Sequence, residues 1–500
     1  MKFSIITVTF NSERHIKDLL LSLSSQTYKN FEHIIIDNKS NDETLFLAKK
    51  YGVKYLIICS EEDKGIYFAM NKGLTHASGK FILFLNSDDW LYDKNSLYKI
   101  YKSIKINTEI IFANILIVNK SYPYKIYRKW DNSSINFTEG NHTPHPAFFA
   151  SKKLFKMFGN FDTRFKIAAD YDLMYRFISK ISKSNITHSK SVSTVMRSGG
   201  ASSNSLIAII KSNSEILRFN TLKFRSIFLM NITLKKVLAK VRQSNLFFSY
   251  SQKVKAPSFS LNHVRTEILI SIVYYDTDMN VFLKTIQSII ESTNINFFLV
   301  VINNSDINIC FIEKMHKHIY VINHGGNIGF GKGHNLSLNS GATSQFFLVL
   351  NPDIEFNSDV LRKLIDMYKG LKNPGLLIPQ LFFSDQSFQQ TYRSFPSFFG
   401  FFFDLFRDLK IKHKEGTYEI DSPSGCFLFA KFNIFKSCNG FDERFFLYME
   451  DIDLSYRISL NYKNYFTSDF QIIHKYQRAS RKKFKNFILH LISFFKFYFS

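Results

Sequence analysis

Along most of this chain, short apolar runs rich in β-branched residues alternate with segments whose apolar positions recur at helical spacing, and polar residues gather where the runs end. The stretch SIITVTFNSERHIKDLLLSLSSQ reads as a strand, a turn and a helix with Ile16, Leu19, Leu20 and Leu23 on one face. Far downstream, LISIVYYDTDMNVFLKTIQSII repeats that order, with Leu283, Ile286, Ile289 and Ile290 on the helical face. The two stretches continue in step. FEHIIIDNKS has its counterpart in FFLVVINNS, which sets Asp37 against Asn303, 266 positions apart. FILFLNSDD matches FFLVLNPDIEF, setting Asp89 against Asp353 at 264, and FDTRFKIAADYDLMYR matches FDERFFLYMEDIDLSYR, setting Asp170 against Asp451 and Arg176 against Arg457 at 281.

Offsets that drift so little describe a tandem duplication with loop insertions. Strands alternating with amphipathic helices in each copy predict an α/β protein of two tandem domains, each a mostly parallel central sheet flanked by helices. Residues 1–250 form the first expected domain, including a helical linker from about 206, and residues 265–480 the second; residues 481–500 form a basic, aromatic tail. SQKVKAPSFSLNHV reads as a loop, with the boundary near 255. Ligands of such sheets bind beyond the carboxyl ends of the strands, where Asp37, Asn303, Asp88, Asp89 and Asp353 fall.

An apolar strand running into Asn86, Ser87, Asp88 and Asp89 delivers two carboxylates to one strand end, which suits a hard cation that also holds a diphosphate, magnesium or manganese. An Asx turn closing the strand is the alternative; repetition as NPD in the second copy counts against it. Asp170 with Asp172, and Glu450 with Asp451 and Asp453, form the other acidic pairs. Residues two apart on a helix face different ways, so one carboxylate of a pair is available as a general base while its neighbour caps or pairs with a cation. The competing reading is an acidic helix start that complements the dipole. HGGNIGFGKGHN places Gly326, Gly331 and Lys332 at the spacing of a phosphate-binding loop, but Gly333 stands where a hydroxyl should meet magnesium, which argues against a nucleotide triphosphatase. Its glycines are expected to let backbone approach a ligand closely.

Composition, 45% hydrophobic and 16% aromatic over 500 residues, supplies core for both copies and excludes disorder of the bulk. The formal charge of +24 favours phosphates, nucleic acid or anionic lipid. No helix-turn-helix, zinc-finger or RNP-like pattern accompanies it, so nucleic acid is not the expected partner. Cys59, Cys310, Cys426 and Cys438 are too scattered for a CxxC site or a disulfide scaffold and fit a reducing compartment. The start enters a strand without a charged leader or cleavage site, so no export signal is expected. No run reaches the roughly 18 apolar residues of a spanning helix. Two segments nevertheless favour a bilayer surface: Phe395 to Leu409, with seven phenylalanines, and the tail, where Arg481, Lys482, Lys483 and Lys485 precede NFILHLISFFKFYF. A final helix packed on the fold is the alternative for the tail.

Taken in order, TVTFN, IIIDNKSND, EDKGIYFAMNKG, FLNSDD and FDTRFKIAADYDL in the first copy, with VINNS, NIGFGKGHN, LNPDIEF, SPSGCFLF and FDERFFLYMEDIDLSYR in the second, resemble two tandem family 2 inverting glycosyltransferase domains of the GT-A fold, covering most of the chain. The second copy is similar to rhamnosyltransferase-type enzymes that use a dTDP-sugar. The resemblance implies that Asp170 and Asp451 are catalytic bases and that Asp89, Asp353 and His474 hold Mg2+ or Mn2+. It implies donor contacts from Thr9, Asp37, Ser40, Lys64, Gly65, Asn71 and Asp88 in the first copy and from Asn303, Asn327, Gly329 and Asn335 in the second. His145 and Glu450 would lie in the cleft near the acceptor. The implied activity is transfer of sugars from nucleotide-diphospho-sugars to a growing bacterial surface polysaccharide, O-antigen or capsule, on a lipid-linked acceptor at the cytoplasmic leaflet. One catalytic copy beside a copy that only binds sugar nucleotide or acceptor is the alternative. The first copy departs from the pattern in lacking an evident counterpart of His474, its comparable region reading STVMRSGG, and the second has Tyr274, Tyr275 and Asp276 after its first strand.

Overall fold

The computed structural model describes residues 2–119, 124–132, 144–198, 253–254, 264–323, 326–395 and 415–475, with Glu215, Leu261, Ser493, Lys496 and Phe497. The chain divides into two compact units, Met1–Phe259 and Ser260–Ser500.

In the first unit β1 (Phe3–Thr9), β2 (Phe31–Asp37), β3 (Leu56–Ser60) and β4 (Phe81–Phe84) alternate with α1 (Ile16–Ser24), α2 (Thr44–Tyr51) and α3 (Ile66–His76). The strands pair in parallel as β3-β2-β1-β4. Unbroken β-branched runs suit strands covered on both faces, and Ile34, Ile35 and Ile36 are fully buried. So are Ile16, Leu19, Leu20 and Leu23, the predicted inner face of α1. The unit continues with β5 (Trp90–Leu91), α4 (Ser96–Ser103), β6 (Ile110–Val118), β7 (Tyr124–Trp130), β8 (Phe148–Ser151), α5 (Lys152–Phe158), α6 (Ala169–Ile178), β9 (Ile186–Arg197) and β10 (Lys253–Val254). Here β8 runs antiparallel between β4 and β6, β9 lies parallel to β6, and β5 pairs antiparallel with the end of β9.

The second unit has β11 (Arg265–Tyr274), α7 (Met279–Ile290), β12 (Phe297–Asn303), β13 (Ile319–Asn323), α8 (Phe330–Leu338), β14 (Thr343–Leu350), β15 (Ile354–Phe356), α9 (Val360–Gly370), β16 (Pro374–Phe382), β17 (Phe388–Gln389), β18 (Tyr392–Arg393), β19 (Thr417–Ile420), β20 (Ser422–Pro423), β21 (Phe427–Lys431), α10 (Phe432–Ser437), α11 (Glu450–Ser459) and β22 (Lys463–His474). Its sheet order, β13-β12-β11-β14-β21-β16-β22-β15, repeats the order β3-β2-β1-β4-β8-β6-β9-β5 of the first. The duplication is therefore one of topology as well as sequence. Both units are mixed α/β, parallel over the four strands that carry the polar strand ends and mixed beyond them.

Register shows where the copies diverge. Counted from the parallel strands, Asp353 aligns with Asp88, because Phe84 and Val349 lie beside Ile6 and Ser271 in equivalent positions. Counted back from β5 and β15 it aligns with Asp89 instead, so the turn of the first unit holds one extra residue. The same count sets Val195, opposite Trp90, where His474 stands opposite Ile354.

Three expectations are adjusted. Lys253 and Val254 are not loop but a short strand on β7, their backbone groups satisfied by a ladder. The inner face of α7 centres on Phe282, Ile286 and Ile289, with Leu283 and Ile290 at its flanks. Gly331 and Gly333 serve packing rather than a ligand: a Cβ there would lie 2.7 Å from Phe441 Cβ and 2.6 Å from Val273 Cγ2. The helical reading of 206–243 apart from Glu215, the Phe-rich segment beyond Phe395, and residues 476–492 of the tail region lie outside the described residues. Among the described residues no helix is long and apolar enough to cross a membrane.

Candidate active sites

In-register parallel strands place Thr9, Asp37 and Ser60 side by side at the carboxyl ends of β1, β2 and β3. Asp37, fully buried, accepts from Thr9 Oγ1 at 2.8 Å and Ser40 Oγ at 2.5 Å on one oxygen, and from Ser40 N at 2.9 Å and Ser60 Oγ at 2.6 Å on the other. Burial raises its pKa, but these hydrogen bonds outweigh it and hold the carboxyl below its ordinary value. Asn303 repeats the motif with neutral chemistry: Oδ1 accepts from Ser305 N and Oγ, while Nδ2 donates to Ile307 O and Asn323 Oδ1. Both side chains thus shape the loop, and a nucleotide reaching them displaces a serine or asparagine partner. The following loop is also shared, since Asn11 and Asp276 both adopt positive φ and the preceding Phe10 and Tyr275 are exposed. The tyrosine-rich departure of the second copy therefore leaves the backbone path intact.

The turn before α3 is tied to β2 by Asp63 N donating to Asn38 Oδ1, and Asp63 Oδ1 accepts from Gly65 N at 2.8 Å. In the second unit Asn327 Oδ1 accepts from Gly329 N at 2.9 Å and lies near Asn304 Nδ2. Gly329, at φ 94, is required twice over, since a Cβ would also lie 2.6 Å from Phe446 O. Lys64 and Gly65 are exposed at the head of α3. Asn71 and Asn335 differ from the expected donor contact. Each spends both ends of its amide on one backbone residue, Asn71 on Phe161 N and O and Asn335 on Phe441 N and O, at 2.8–2.9 Å. They clamp the loop that leads to the catalytic-base positions.

At the end of β4, Asp89 is buried. Its Oδ2 accepts from Asn86 Nδ2 at 3.0 Å, and among the described residues its Oδ1 has no hydrogen-bond partner. Burial, reinforced by Asp88, pushes its carboxyl well above the ordinary range, with Asn86 and Arg197 opposing. A buried anionic oxygen without a partner beside a second carboxylate is costly unless a cation joins it, and the pair therefore fits a divalent ion. Arg197, itself buried, donates to Asp88 O and pairs with Asp18, with its guanidinium 4.5 Å from the Trp90 ring. The second unit presents different donors: His474 Nε2 stands 3.1 Å from Asp353 Oδ1, while Nδ1 stands 2.8 Å from Gln389 Oε1. An Nδ1–H bond to that amide oxygen leaves the Nε2 lone pair and a carboxylate oxygen converging, again a fit for a divalent ion. Among the described residues no three His, Cys, Asp or Glu side chains come together. A small hard cation here would draw its remaining ligands from phosphate and water.

Asp170 and Asp451 open α6 and α11. In each the Oδ1 accepts from the next residue's N–H, at 2.8 and 2.9 Å. Asp170 Oδ2 lies 3.5 Å from His145 Nδ1, whereas Asp451 Oδ2 accepts from Gly425 N at 3.0 Å and faces Arg393 at 3.4 Å. Asp172 and Asp453 take the other role open to a carboxylate pair, binding Arg176 and Arg457 one turn on at 2.7 Å. Those arginines also donate to loop carbonyls, Arg176 to Phe158 and Asn160 and Arg457 to Cys438 and Gly440. Glu450 is buried, and burial with the Asp451 charge pushes its carboxyl up to about 8. Burial also pushes the Cys426 thiol up to about 12, Ser424 opposing, and Asp353 and Asp451 both add to it. In the first unit Asn86 Oδ1, 3.1 Å from His145 Nε2, links Asp89 to Asp170.

Asn86, Ser60, Asn304, Arg197, Gln389 and Arg393 escaped the sequence reading. Asn86 had a signal, since an asparagine opens both NSDD and NPD. Arg197, Gln389 and Arg393 had none, because distant strands deliver them.

The profile described as Glycosyl transferase family 2 matches residues 4–166. A PGL/p-HBAD biosynthesis glycosyltransferase of Mycobacterium bovis (strain BCG / Pasteur 1173P2) is 30% identical over 182 residues, covering 35% of this chain and 70% of the relative. The UDP-Glc:alpha-D-GlcNAc-diphosphoundecaprenol beta-1,3-glucosyltransferase WfgD of Escherichia coli is 34% identical over 120 residues, 24% of this chain and 47% of that protein. Among solved structures, S. aureus TarS 1-349 aligns with a TM-score of 0.35 at 20% identity, over 50% of this chain and 76% of that one.

Proposed function

From a chain that belongs to glycosyltransferase family 2, we propose a bifunctional, inverting, metal-dependent enzyme whose two units each transfer one sugar from a nucleotide-diphospho-sugar to a bacterial surface polysaccharide. The observation that carries this reading is the recurrence, at equivalent places in both sheets, of a strand-end aspartate and a helix-opening aspartate, joined in the first unit by a short polar path through Asn86 and His145. In this reading Asp170 and Asp451 remove the proton of the acceptor hydroxyl through Oδ2, Oδ1 being fixed by a main-chain N–H. The hydroxyl oxygen attacks the anomeric carbon from the face opposite the departing nucleoside diphosphate, so the configuration inverts. A bound Mg2+ or Mn2+ supplies charge neutralisation for that leaving group, with Asp88 and Asp89 holding it in the first unit and Asp353 and His474 in the second. Thr9, Asp37, Ser40, Lys64 and Gly65, with Asn303, Asn327 and Gly329, form the loops against which the nucleotide rests.

A lipid-linked acceptor is supported by the printed activity of the Escherichia coli relative, which acts on a diphosphoundecaprenol substrate. The net charge of +24 supports a peripheral position on an anionic cytoplasmic leaflet. Sequence resemblance supports a rhamnosyltransferase-type second unit.

The test is transfer from UDP-, GDP- and dTDP-sugars to lipid-linked acceptors, with Mn2+ or EDTA, for wild type, Asp89→Ala and Asp353→Ala. Two donors, each lost with a different variant and both lost with EDTA, are expected. One donor lost with a single variant leaves the other unit as a binding scaffold, the reading favoured if Val195 in place of His474 disables the first metal position.

A further inference from the structure

We propose that His145 is a proton-relay residue of the first unit, acting through Asp170. The inference rests on the reading of Asp170 as the base. His145 opens a short 3-10 turn, His145–Ala147, between two prolines, Pro144 and Pro146, and Thr194 Oγ1 of β9 holds that turn by donating to Pro146 O at 2.7 Å. The ring is thereby fixed between two groups of opposite character. Asn86 Nδ2 donates to Asp89, which points Asn86 Oδ1 at His145 Nε2, 3.1 Å away. An amide oxygen only accepts, so Nε2 donates to it, and Nδ1 faces Asp170 Oδ2 at 3.5 Å. Two acceptors facing each other across that distance form a slot for one proton.

The acceptor's hydroxyl supplies that proton. Its O–H bond breaks as its oxygen bonds to the anomeric carbon, and the carbon–oxygen bond to the diphosphate breaks with its electron pair leaving on the nucleoside diphosphate. The proton reaches Asp170 Oδ2 and passes to His145 Nδ1, leaving an imidazolium against a restored carboxylate. The side chain of His145 is 22% exposed, which lets the proton leave to water.

Among the described residues, Glu215 accepts from the backbone of 166–168 just before Asp170, and Tyr67 donates its hydroxyl to Ile167 O there. Asp170 faces the ring from α6, and Asp88 with Asp89 lies beyond Asn86. From β9 come Arg197, engaged with Asp18 and Asp88 O, His188, stacked on Phe112, and the exposed Lys190; β6 brings no charged residue. The second unit provides an internal control. Sheet register puts Gly425 at the place of His145, where a Cβ would lie 3.3 Å from Asp451 Cβ, so a backbone N–H takes the place of an imidazole.

The experiment is the pH dependence of the first unit's transfer in the full chain, for wild type, His145→Gln, His145→Ala and Asp170→Asn. Wild-type kcat should fall on the acid side, where protonation of the ring beforehand closes the relay. Both His145 variants should lose that limb and about 10–100-fold in kcat, with the acceptor KM within about twofold. The second unit's transfer should keep the same pH profile in wild type and in both His145 variants. His145→Gln keeps a group able to meet Asn86, so a folding defect confined to His145→Ala does not blur the result. A raised KM with an unchanged pH profile would make His145 an acceptor contact and overturn the relay. Activity retained by Asp170→Asn would overturn the base reading itself, whereas an inactive Asp170→Asn beside an unaltered His145→Gln profile sinks the relay alone.

Discussion

Asp89 shows how a single residue trades stability against chemistry. Its folded pKa is raised by burial and by Asp88, so its contribution to stability is fully present below the ordinary carboxyl value and is lost as pH rises toward the folded value. Asp89→Asn should therefore melt higher than wild type at pH 8 without metal, by roughly 2–4 °C per kcal/mol gained, with the gap closing near pH 4. Mn2+ with a nucleoside diphosphate should raise the wild-type midpoint and not the variant's, while the variant loses the first unit's transfer. Thermal melts at both pH values check this; equal midpoints at pH 8 would mean that Asp89 is already neutralised by protein groups. At this scale the sequence displayed Asp89, Asp170, Asp353 and Asp451, because carboxylates at strand and helix ends stand out against apolar runs. It concealed Gln389, which a distant strand brings to His474.

At the level of elements, α6 and α11 are positioned by devices that never touch a ligand. The Asn71 and Asn335 amides and the Arg176 and Arg457 guanidinia hold the FDTR and FDER loops, and those loops fix where each helix begins. Asn71→Ala removes both partners of the Phe161 backbone and should cost about 2–4 kcal/mol, with nucleotide affinity changed little in the remaining folded protein. Denaturant melts and nucleotide titration separate the two; unchanged stability with lost affinity would return Asn71 to the donor site. The periodicity of α1 revealed its buried face outright, since Ile16, Leu19, Leu20 and Leu23 have no other use. The centre of the α7 face shifted to Phe282 because spacing alone does not say which of several adjacent apolar residues points inward.

For the whole molecule, duplication predicts separable activities: Asp170→Asn should silence one transfer and Asp451→Asn the other, each by at least about 100-fold, as read with two donors in one reaction. Loss of both with either variant would mean that the units do not work independently. A net charge of +24 also predicts sedimentation with anionic vesicles that weakens as salt rises from 0.05 to about 0.5 M; binding indifferent to salt would point to apolar contact instead. The sequence by itself determined the two-fold plan, the α/β class and the strand-end carboxylates, and left open which carboxylate of each helix-opening pair binds a cation. These are local or periodic properties, carried by spacing along the chain. Tertiary structure alone decided that Val195 stands where His474 does, that Gly425 replaces His145, that Arg197 returns to the Asp88 turn and that the glycines of α8 pack against protein. Each of those depends on strand register and on contacts between residues tens to more than a hundred positions apart, where a shift of one position changes which side chain meets which.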